Sequence, residues 1–190
     1  MRLALPLALC LCVLLCACQA TQTPTTRMYR EHDVHPDAGN LMLDGQGNPI
    51  NGVLQKYTPE GTLVQEISFA AGVRHGRMKS YYESGRLQEE YEYRNGLLDG
   101  PGEMYYENGQ LEMECPSLHG KKHGVWKRYY DNGMLESENP YDHDQAHGVW
   151  KQYDENGRLL REITFDHGKA YGIAREYDEN GKVLSEVHAR

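Results

Sequence analysis

The sequence is poor in several residue types, and each shortage argues against a kind of core or a class of protein. Only 2 of its 190 residues are Phe, against 14 Tyr, which favours half-exposed sheet faces over a thick, dry core. Lys and Arg number 20 against 28 Asp and Glu, a formal net charge of -8. This deficit of positive charge argues against a nucleic-acid binder and against a polybasic segment that binds anionic lipid.

Catalytic motifs are also lacking. The sequence contains no phosphate-binding loop, no nucleophile elbow and no metalloprotease helix motif. Signals for helices of any length are missing beyond the first stretch of the chain. The sequence therefore predicts a protein that is not an enzyme and that needs no cofactor.

A long apolar run occurs only at the N-terminus, in "MRLALPLALCLCVLLCAC". The run is too short for a membrane-spanning helix and is typical of an export signal over residues 1–17. Its end, "LCAC", resembles the bacterial lipobox. That resemblance implies cleavage before Cys18 and a diacylglycerol anchor on its sulfur. In the lipoprotein pattern an Asp after the Cys favours the inner membrane, so the resemblance, with Gln19 at that place, implies the outer membrane of the cell envelope. The alternative is a conventional signal cut elsewhere, with Cys18 lost.

Cysteine is scarce in the expected mature chain. Of the 5 Cys, Cys10, Cys12 and Cys16 leave with the signal and Cys18 carries lipid. Cys115 is then the single thiol, so no internal disulfide is expected, although the compartment would allow one. Cys115 occupies a repeat position that holds Ile or Tyr elsewhere, and we predict a small core residue there rather than a nucleophile.

Two regions follow the export signal. Residues 18–40 begin with a polar, Thr-rich stretch and are predicted to be a flexible, lipid-anchored tether. Residues 41–190 form the repeat domain, with six clear units from residue 51. A degenerate unit precedes them, because "LDGQGNPI" (43–50) aligns with "YDENGRLL" (153–160).

The six units recur every 24 residues without an insertion, which indicates a repeat architecture. The first Gly of each unit is Gly52, Gly76, Gly100, Gly124, Gly148 and Gly172. A Tyr follows five residues later, at Tyr57, Tyr81, Tyr105, Tyr129, Tyr153 and Tyr177. A Glu closes the pattern, at Glu66, Glu90, Glu114, Glu138, Glu162 and Glu186.

Each unit predicts a β-hairpin. Asn-Gly pairs lie between runs of β-forming residues, and this is a strong hairpin signal. A two-residue turn would place Tyr129 opposite Glu136, whereas a three-residue turn with Gly133 in a bulge would place it opposite Leu135. The second register is preferred because it gathers apolar residues on one face. The predicted fold is an all-β, single-layer antiparallel meander of about twelve strands.

The preferred register makes definite predictions about the two faces of the sheet. In the fourth unit Val125, Tyr129, Leu135 and Tyr141 should share a face. In the fifth unit the corresponding set is Val149, Tyr153, Leu159, Ile163 and Phe165. Trp126 and Tyr130 should point to the opposite face.

Residues 51–190 resemble the bacterial variant of the MORN repeat, through the pattern Gly-x-Trp-x-x-Tyr-Tyr-x-Asn-Gly-x-Leu-x-x-Glu. The pattern is fullest at Trp126 and Trp150, whereas Gly102 takes the Trp place in the third unit and Asp144 replaces a later Gly. The resemblance implies a hairpin array used for interactions, without catalytic residues. Bacterial members of the family often carry an antitoxin-like label.

Three sets of side chains are candidate functional residues. The repeated Glu share one environment, which is unsuited to acid–base catalysis and predicts structural hydrogen bonds or ion pairs. Trp126, Trp150 and Tyr130 are candidates for an aromatic binding face for a sugar or a peptide, with plain packing as the alternative.

Histidines form the third set. By the period they fall on one rim of the sheet, in the loops between units: His75, His119, His123, His143, His147 and His167. "HGKKH" and "HDQAH", with Asp142 and Asp144, offer ligands that suit Zn or Cu. Neither loop has a metal-finger spacing and adjacent loops are expected to lie too far apart to share an ion, so we expect polar turns and no metal site.

The sequence as a whole predicts a lipid-anchored protein of the bacterial envelope. Its array would be a non-catalytic scaffold for a protein or glycan partner, joined to the membrane only through Cys18. The alternative is an antitoxin-like inhibitor that neutralises a toxin by binding it. Nucleic acid is not expected as a partner.

Overall fold

The structure is a computed structural model that describes residues 26–189. The predicted signal (residues 1–17) and the predicted lipid site at Cys18 lie outside the described residues. A single short 3-10 turn, Glu31–Asp33, is the only helical element in residues 26–189. It is far too short to cross a membrane, and the described part of the chain holds no apolar spanning helix.

Eighteen strands make up nearly all of the described fold. Those before the third repeat are β1 (Met28–Arg30), β2 (Val34–Pro36), β3 (Met42–Asp44), β4 (Gly52–Tyr57), β5 (Leu63–Ala70), β6 (Val73–Tyr81) and β7 (Leu87–Arg94). The next are β8 (Leu97–Tyr105), β9 (Leu111–Glu114), β10 (Ser117–Leu118), β11 (Lys121–Lys122), β12 (Gly124–Tyr129) and β13 (Leu135–Asp142). The last are β14 (Gln145–Ala146), β15 (Gly148–Tyr153), β16 (Leu159–Asp166), β17 (Lys169–Tyr177) and β18 (Val183–Ala189).

One sheet contains every strand except β2 and β3, and its main path follows the chain from β4 to β18, with the short strands β10, β11 and β14 paired beside that path. All neighbours in this run are antiparallel, which confirms the predicted meander. Strand β1 adds a short parallel edge beside β4. Strands β2 and β3 form a separate two-stranded sheet.

The turn within each unit has the predicted three-residue form. In the fourth unit Tyr130 N–H donates to Met134 O at 2.8 Å, and Gly133 has a φ of 84°. Tyr129 lies opposite Leu135, which confirms the preferred register. The same pairing joins Tyr57 to Leu63, Tyr81 to Leu87, Tyr105 to Leu111, Tyr153 to Leu159 and Tyr177 to Val183.

A bulge next to this pairing changes which residues share a face. Arg128 pairs with Ser137 and Tyr129 with Leu135, so Glu136 has no partner in the ladder. An unpaired residue shifts the alternation beyond it by one position. Tyr141 therefore pairs with Gly124 on the face of Trp126, and the prediction that it joins the Tyr129 face is wrong.

The fifth unit repeats this correction. The bulge falls between Gln152 and Tyr153, and Ile163 then pairs with Trp150. Ile163 and Phe165 thus leave the face predicted for them. We call the side of the sheet that carries Trp150, Ile163 and Phe165 the Trp face. The opposite side, which carries the repeated Tyr and Glu, is the Tyr face.

Two-residue turns connect successive units along one long edge of the sheet, opposite the edge that carries the three-residue turns. Both central residues of each turn have positive φ, as a type I′ hairpin requires. The turns are Ala71–Gly72, Asn95–Gly96, His119–Gly120, His143–Asp144 and His167–Gly168. We call this edge, with the strand ends beside it, the His rim.

The first residues of the described chain fold against the Trp face of the first unit. Tyr29 and Ile50 are buried, and they form one core cluster with Leu54, Ile67 and Phe69. Within residues 26–40, β1 and β2 pair with other strands and Tyr29 is buried, although most side chains are exposed, so the prediction of a flexible tether (18–40) is wrong over this part. The repeat pattern could not show this because residues 26–40 lie outside it.

The predicted degenerate unit keeps the turn but not the sheet. Backbone N–H groups of Gln46 and Asn48 donate to Asp44 Oδ1, both at 2.9 Å. Asn156 and Arg158 donate in the same way to Asp154 Oδ1. Leu43 and Pro49 also keep the bridge that Tyr153 and Leu159 form, but strand β3 pairs with β2 rather than with the repeat sheet, so the similarity is confined to the turn and this bridge.

Candidate functional site

Repeated Tyr and Glu side chains on the Tyr face join four pairs of successive units. The Tyr hydroxyl of one unit donates to the Glu of the unit before it, at 2.8 to 3.0 Å. The four pairs are Tyr81–Glu66, Tyr129–Glu114, Tyr153–Glu138 and Tyr177–Glu162. Tyr57 and Tyr105 differ, since they donate to Gln55 and Glu103 of their own strands.

Basic side chains also contact these carboxylates. Lys151 Nζ lies 3.0 Å from Glu138 Oε1, and Arg175 bridges Glu162 at 3.2 Å and Glu186 at 2.8 Å. Burial raises the pKa of Glu138, but hydrogen bonds from Lys151 and Tyr153 outweigh it and leave the pKa below its ordinary value. These carboxylates are thus engaged by neighbouring side chains, which suits a structural role.

Four aromatic rings form a row across the Trp face of the fourth and fifth units. Ring centroids lie 5.9 Å apart for Trp126 and Tyr141, 5.4 Å for Tyr141 and Trp150, and 4.6 Å for Trp150 and Phe165. All four side chains are half-buried, although the described chain places no second layer over them. We call this set the aromatic row.

Backbone carbonyls fix the two indoles of the aromatic row. Trp126 Nε1 donates to Pro116 O at 2.9 Å, and Trp150 Nε1 donates to Pro140 O at 3.1 Å. Tyr130 is not part of the row, because its hydroxyl donates to Tyr153 O at 2.8 Å and ties two units together. Of the three predicted binding residues, the structure brings together Trp126 and Trp150 and leaves Tyr130 apart.

An open cavity of about 480 Å³ lies beside Trp150 and Phe165 on the same face. Asn139, Gln152 and Arg161 supply polar groups to its lining. The arrangement offers apolar rings flanked by hydrogen-bonding side chains, which is the composition of a docking surface.

The third unit interrupts the row. Gly102 stands where the fourth and fifth units have Trp, and a methyl group there would lie 2.8 Å from Tyr91 Cδ1 and 2.9 Å from Cys115 Sγ. Cys115 is 3% exposed, and burial raises the pKa of its thiol. The pattern's departure at Gly102 is thus compensated by neighbouring side chains that close over the gap.

Histidines from adjacent loops meet on the His rim. Rings of His123 and His143 lie 5.2 Å apart, and those of His147 and His167 lie 4.7 Å apart. The expectation that adjacent loops lie too far apart to share an ion is therefore wrong. It rested on the strand spacing alone, whereas the side chains lean toward one another across it.

The geometry defines the class of the protein: a repeat array of antiparallel β-hairpins. The sequence pattern of the MORN repeat variant matches residues 74–95, 98–118, 122–143, 146–167 and 170–189, more than half of the chain. The chain belongs to the MORN repeat variant family. These repeats are non-catalytic and serve contacts with proteins or membranes. No match appears among curated protein sequences.

Sequence reasoning missed two members of the aromatic row and one rim carboxylate. Tyr141 and Phe165 lie on the face opposite to the predicted one because a bulge reverses the alternation before each of them, and their even spacing from Leu135 and Leu159 gives no sign of it. Asp166 was overlooked although it stands 24 residues after Asp142. The period could have found it.

Proposed function

We propose that the protein is a lipid-anchored scaffold of the bacterial envelope whose Trp face docks a polypeptide partner. Attachment through Cys18 would hold the array at the membrane, with the outer membrane favoured by Gln19. The scaffold carries out no reaction. The aromatic row and the cavity beside it would be the contact surface.

The observation that carries the proposal is the contrast between the two ends of the Trp face. At the first unit this face is covered by the chain's own polypeptide, through Tyr29 and Ile50. At the fourth and fifth units the same columns of the repeat carry Trp126, Trp150 and Phe165 with no such cover. The covered end thus shows which chemistry fits the face: aromatic and aliphatic side chains of a polypeptide, here Tyr29 and Ile50.

The composition of the open end supports a protein rather than a glycan. Trp, Tyr and Arg dominate the energetics of protein interfaces, and all three are present here. Lys122 Nζ lies 4.3 Å from the centroid of Trp126 and 4.9 Å from that of Tyr141, so a cation already occupies a ring face on which a sugar would stack. The carboxylates and cations of the lining would orient polar groups of a peptide.

The anchor is tested by fractionating cells that express the wild type or Cys18→Ala, with the mature N-terminus weighed by mass spectrometry. Membrane association with lipid on Cys18, lost in the variant, is the expected result. A full-length chain that stays in the cytoplasm would overturn the envelope assignment and favour the antitoxin-like alternative.

The docking face is tested by site-specific photocrosslinking in cells. A benzophenone amino acid at Trp150 is compared with one at Val149, the adjacent residue on the Tyr face. We expect a discrete protein adduct from position 150 that is absent from position 149 and is lost when Trp126→Ala is added. Equal adducts at both positions, or adducts only to saccharide, would contradict a polypeptide partner on the Trp face.

A further inference from the structure

Two clusters of the same composition lie on the His rim, 24 residues apart. One contains His123, Asp142 and His143, and the other contains the matching His147, Asp166 and His167. In each cluster one potential ligand atom from every residue lies within 4.8 Å of the other two. We propose that each cluster binds one divalent transition-metal ion, of which Zn²⁺ is the natural probe.

Distances within the first cluster fit a single ion. Asp142 Oδ1 lies 3.2 Å from His123 Nδ1 and 2.5 Å from His143 Nδ1. A tetrahedral ion about 2.0–2.1 Å from its nitrogen and oxygen ligands separates them by roughly 3.4 Å. The carboxylate must therefore move away from His143 by under about 1 Å, a shift that a side chain can make.

The second cluster repeats this geometry. Asp166 Oδ1 lies 3.4 Å from His147 Nδ1 and 2.7 Å from His167 Nδ1. Two imidazoles and one carboxylate suit Zn²⁺, Cu²⁺ or Ni²⁺ better than Ca²⁺ or Mg²⁺, which prefer oxygen ligands alone. Since every side chain of the two clusters is at least 38% exposed, a fourth position remains open to water or to a ligand from a partner.

A buried nitrogen in the first cluster gives independent support. Nδ1 of His123 is inaccessible to solvent, and no described residue meets it with hydrogen-bond geometry, although Asp142 Oδ1 is near. A buried polar atom without a partner is unfavourable. Coordination of an ion by the neutral imidazole would give this atom a partner.

The backbone holds the ligands in place before any ion arrives. His143 opens a type I′ turn with a φ of 49°, and Asp144 completes the turn with a φ of 72°. Asp144 Oδ1 accepts the N–H of Lys122 at 2.8 Å, which fastens this turn to the preceding loop. Asp144 is thereby occupied, so Asp142 is the carboxylate that serves the cluster.

The third unit provides a natural control on the same rim. His119 occupies the turn position of His143, but Leu118 stands in place of Asp142, and Asp99 stands in place of His123. The nearest approach there is 3.7 Å, between His119 Nε2 and Asp99 Oδ2. Two ligands without a third make a weak site, so His119 should not contribute to binding.

The test is a zinc titration of the full-length chain, purified in detergent without a His tag and stripped with a chelator. Asn is the replacement of choice, because Asn95 already occupies the same turn position with a φ of 51°. Equilibrium dialysis with metal analysis should give two Zn²⁺ per wild-type chain, one for His143→Asn, one for His167→Asn and none for the double variant. His119→Asn should retain two.

Thermal unfolding supplies a second readout. Zinc should raise the midpoint of the wild type and of His119→Asn but leave the double variant unchanged, because an ion bound only to the folded state stabilises it. The proposal is overturned if the wild type binds fewer than two ions, or if His119→Asn loses as much zinc as His143→Asn. Neither readout involves a partner, so its failure is distinct from failure of the docking proposal.

Discussion

The two ends of the Trp face use one repeat pattern and reach opposite degrees of burial. Ile67 in the first unit is 4% exposed, whereas Val187, at the same repeat position in the last unit, is 62% exposed. Within its own hairpin each residue pairs with the same repeat position, Ile67 with Leu54 and Val187 with Ala174, although β5 has neighbours on both sides and β18 is an edge strand. The repeat therefore specifies the sheet, while a segment outside the repeat, with Tyr29 and Ile50, decides where the sheet becomes a core.

This comparison predicts a large difference between two chemically identical substitutions. Ile67 and Ile163 lie 96 residues apart at the same repeat position, one covered and one at the open cavity. Ile67→Ala should lower the free energy of unfolding by about 2–5 kcal/mol, since it leaves a cavity in a closed cluster. Ile163→Ala should lower it by only about 1 kcal/mol.

Urea unfolding followed by far-ultraviolet circular dichroism measures both losses. Tryptophan fluorescence adds a local signal, since both Trp lie in the open units. Equal losses for the two variants would break the comparison, because Ile163 would then have to be as well covered in solution as Ile67.

The boundary between the two ends falls at the third unit, and the second prediction concerns Gly102 in that unit. Gly102→Ala places a methyl group within 2.9 Å of Tyr91 and Cys115 atoms, so we expect a loss of about 1–3 kcal/mol through overpacking. Ala174 holds the same repeat position at the open end and already carries a methyl group. Its replacement by Gly should cost no more than about 1 kcal/mol.

Differential scanning calorimetry of the two variants against the wild type checks this pair. A Gly102→Ala chain as stable as the wild type would mean that Tyr91 and Cys115 move aside freely. The third unit would then belong to the open end of the Trp face.

Most of the fold followed from the sequence because its period carried the information. The interval of 24 residues and the Asn-Gly turns predicted the hairpins, the meander and the pairing of Tyr129 with Leu135. The bulge at Glu136 could not be predicted because its effect depends on which backbone hydrogen bonds form between the strands, and no residue type marks it. The packing of Tyr29 on the first unit could not be predicted because the period carries no information about residues outside the repeat.

Candidate sites were predicted less completely, for a related reason. Trp126 and Trp150 stand out in the sequence, but their neighbours Tyr141 and Phe165 depend on the bulge. The His clusters join residues 20 positions apart, and the argument from strand spacing left out the reach of the side chains. Local spacing suffices for turns, but clusters across strands need the register.

A third prediction sharpens the comparison by testing the opposite face, where both ends should behave alike. Tyr81→Phe removes the hydroxyl that donates to Glu66, and Tyr153→Phe removes the one that donates to Glu138, each bond 2.8 to 2.9 Å long. Each variant should lose about 0.5–1.5 kcal/mol, since one partly buried hydrogen bond is lost in both. Thermal melts at pH 7 measure the two losses side by side.

The pH dependence of the Tyr153→Phe loss follows from the lowered pKa of Glu138. A carboxyl whose pKa is lower in the folded state adds stability above its ordinary value of 4.5, and this is lost as pH falls through the folded value. The difference between wild type and Tyr153→Phe should therefore shrink below about pH 4. A loss for Tyr153→Phe far larger than for Tyr81→Phe would show that the two ends differ on both faces.

The smallest effect is expected at the last strand. Val187→Ala removes two methyl groups from a side chain that is 62% exposed on β18, so the free energy of unfolding should change by under about 0.5 kcal/mol. Chemical denaturation at two protein concentrations a hundredfold apart makes the measurement informative. A loss above about 1 kcal/mol that grows with concentration would mean that a second copy covers this edge, because β18 presents an unpaired row of backbone groups and the exposed Leu184. A negligible loss at both concentrations would place the β18 edge of the Trp face in solvent, where a partner can reach it.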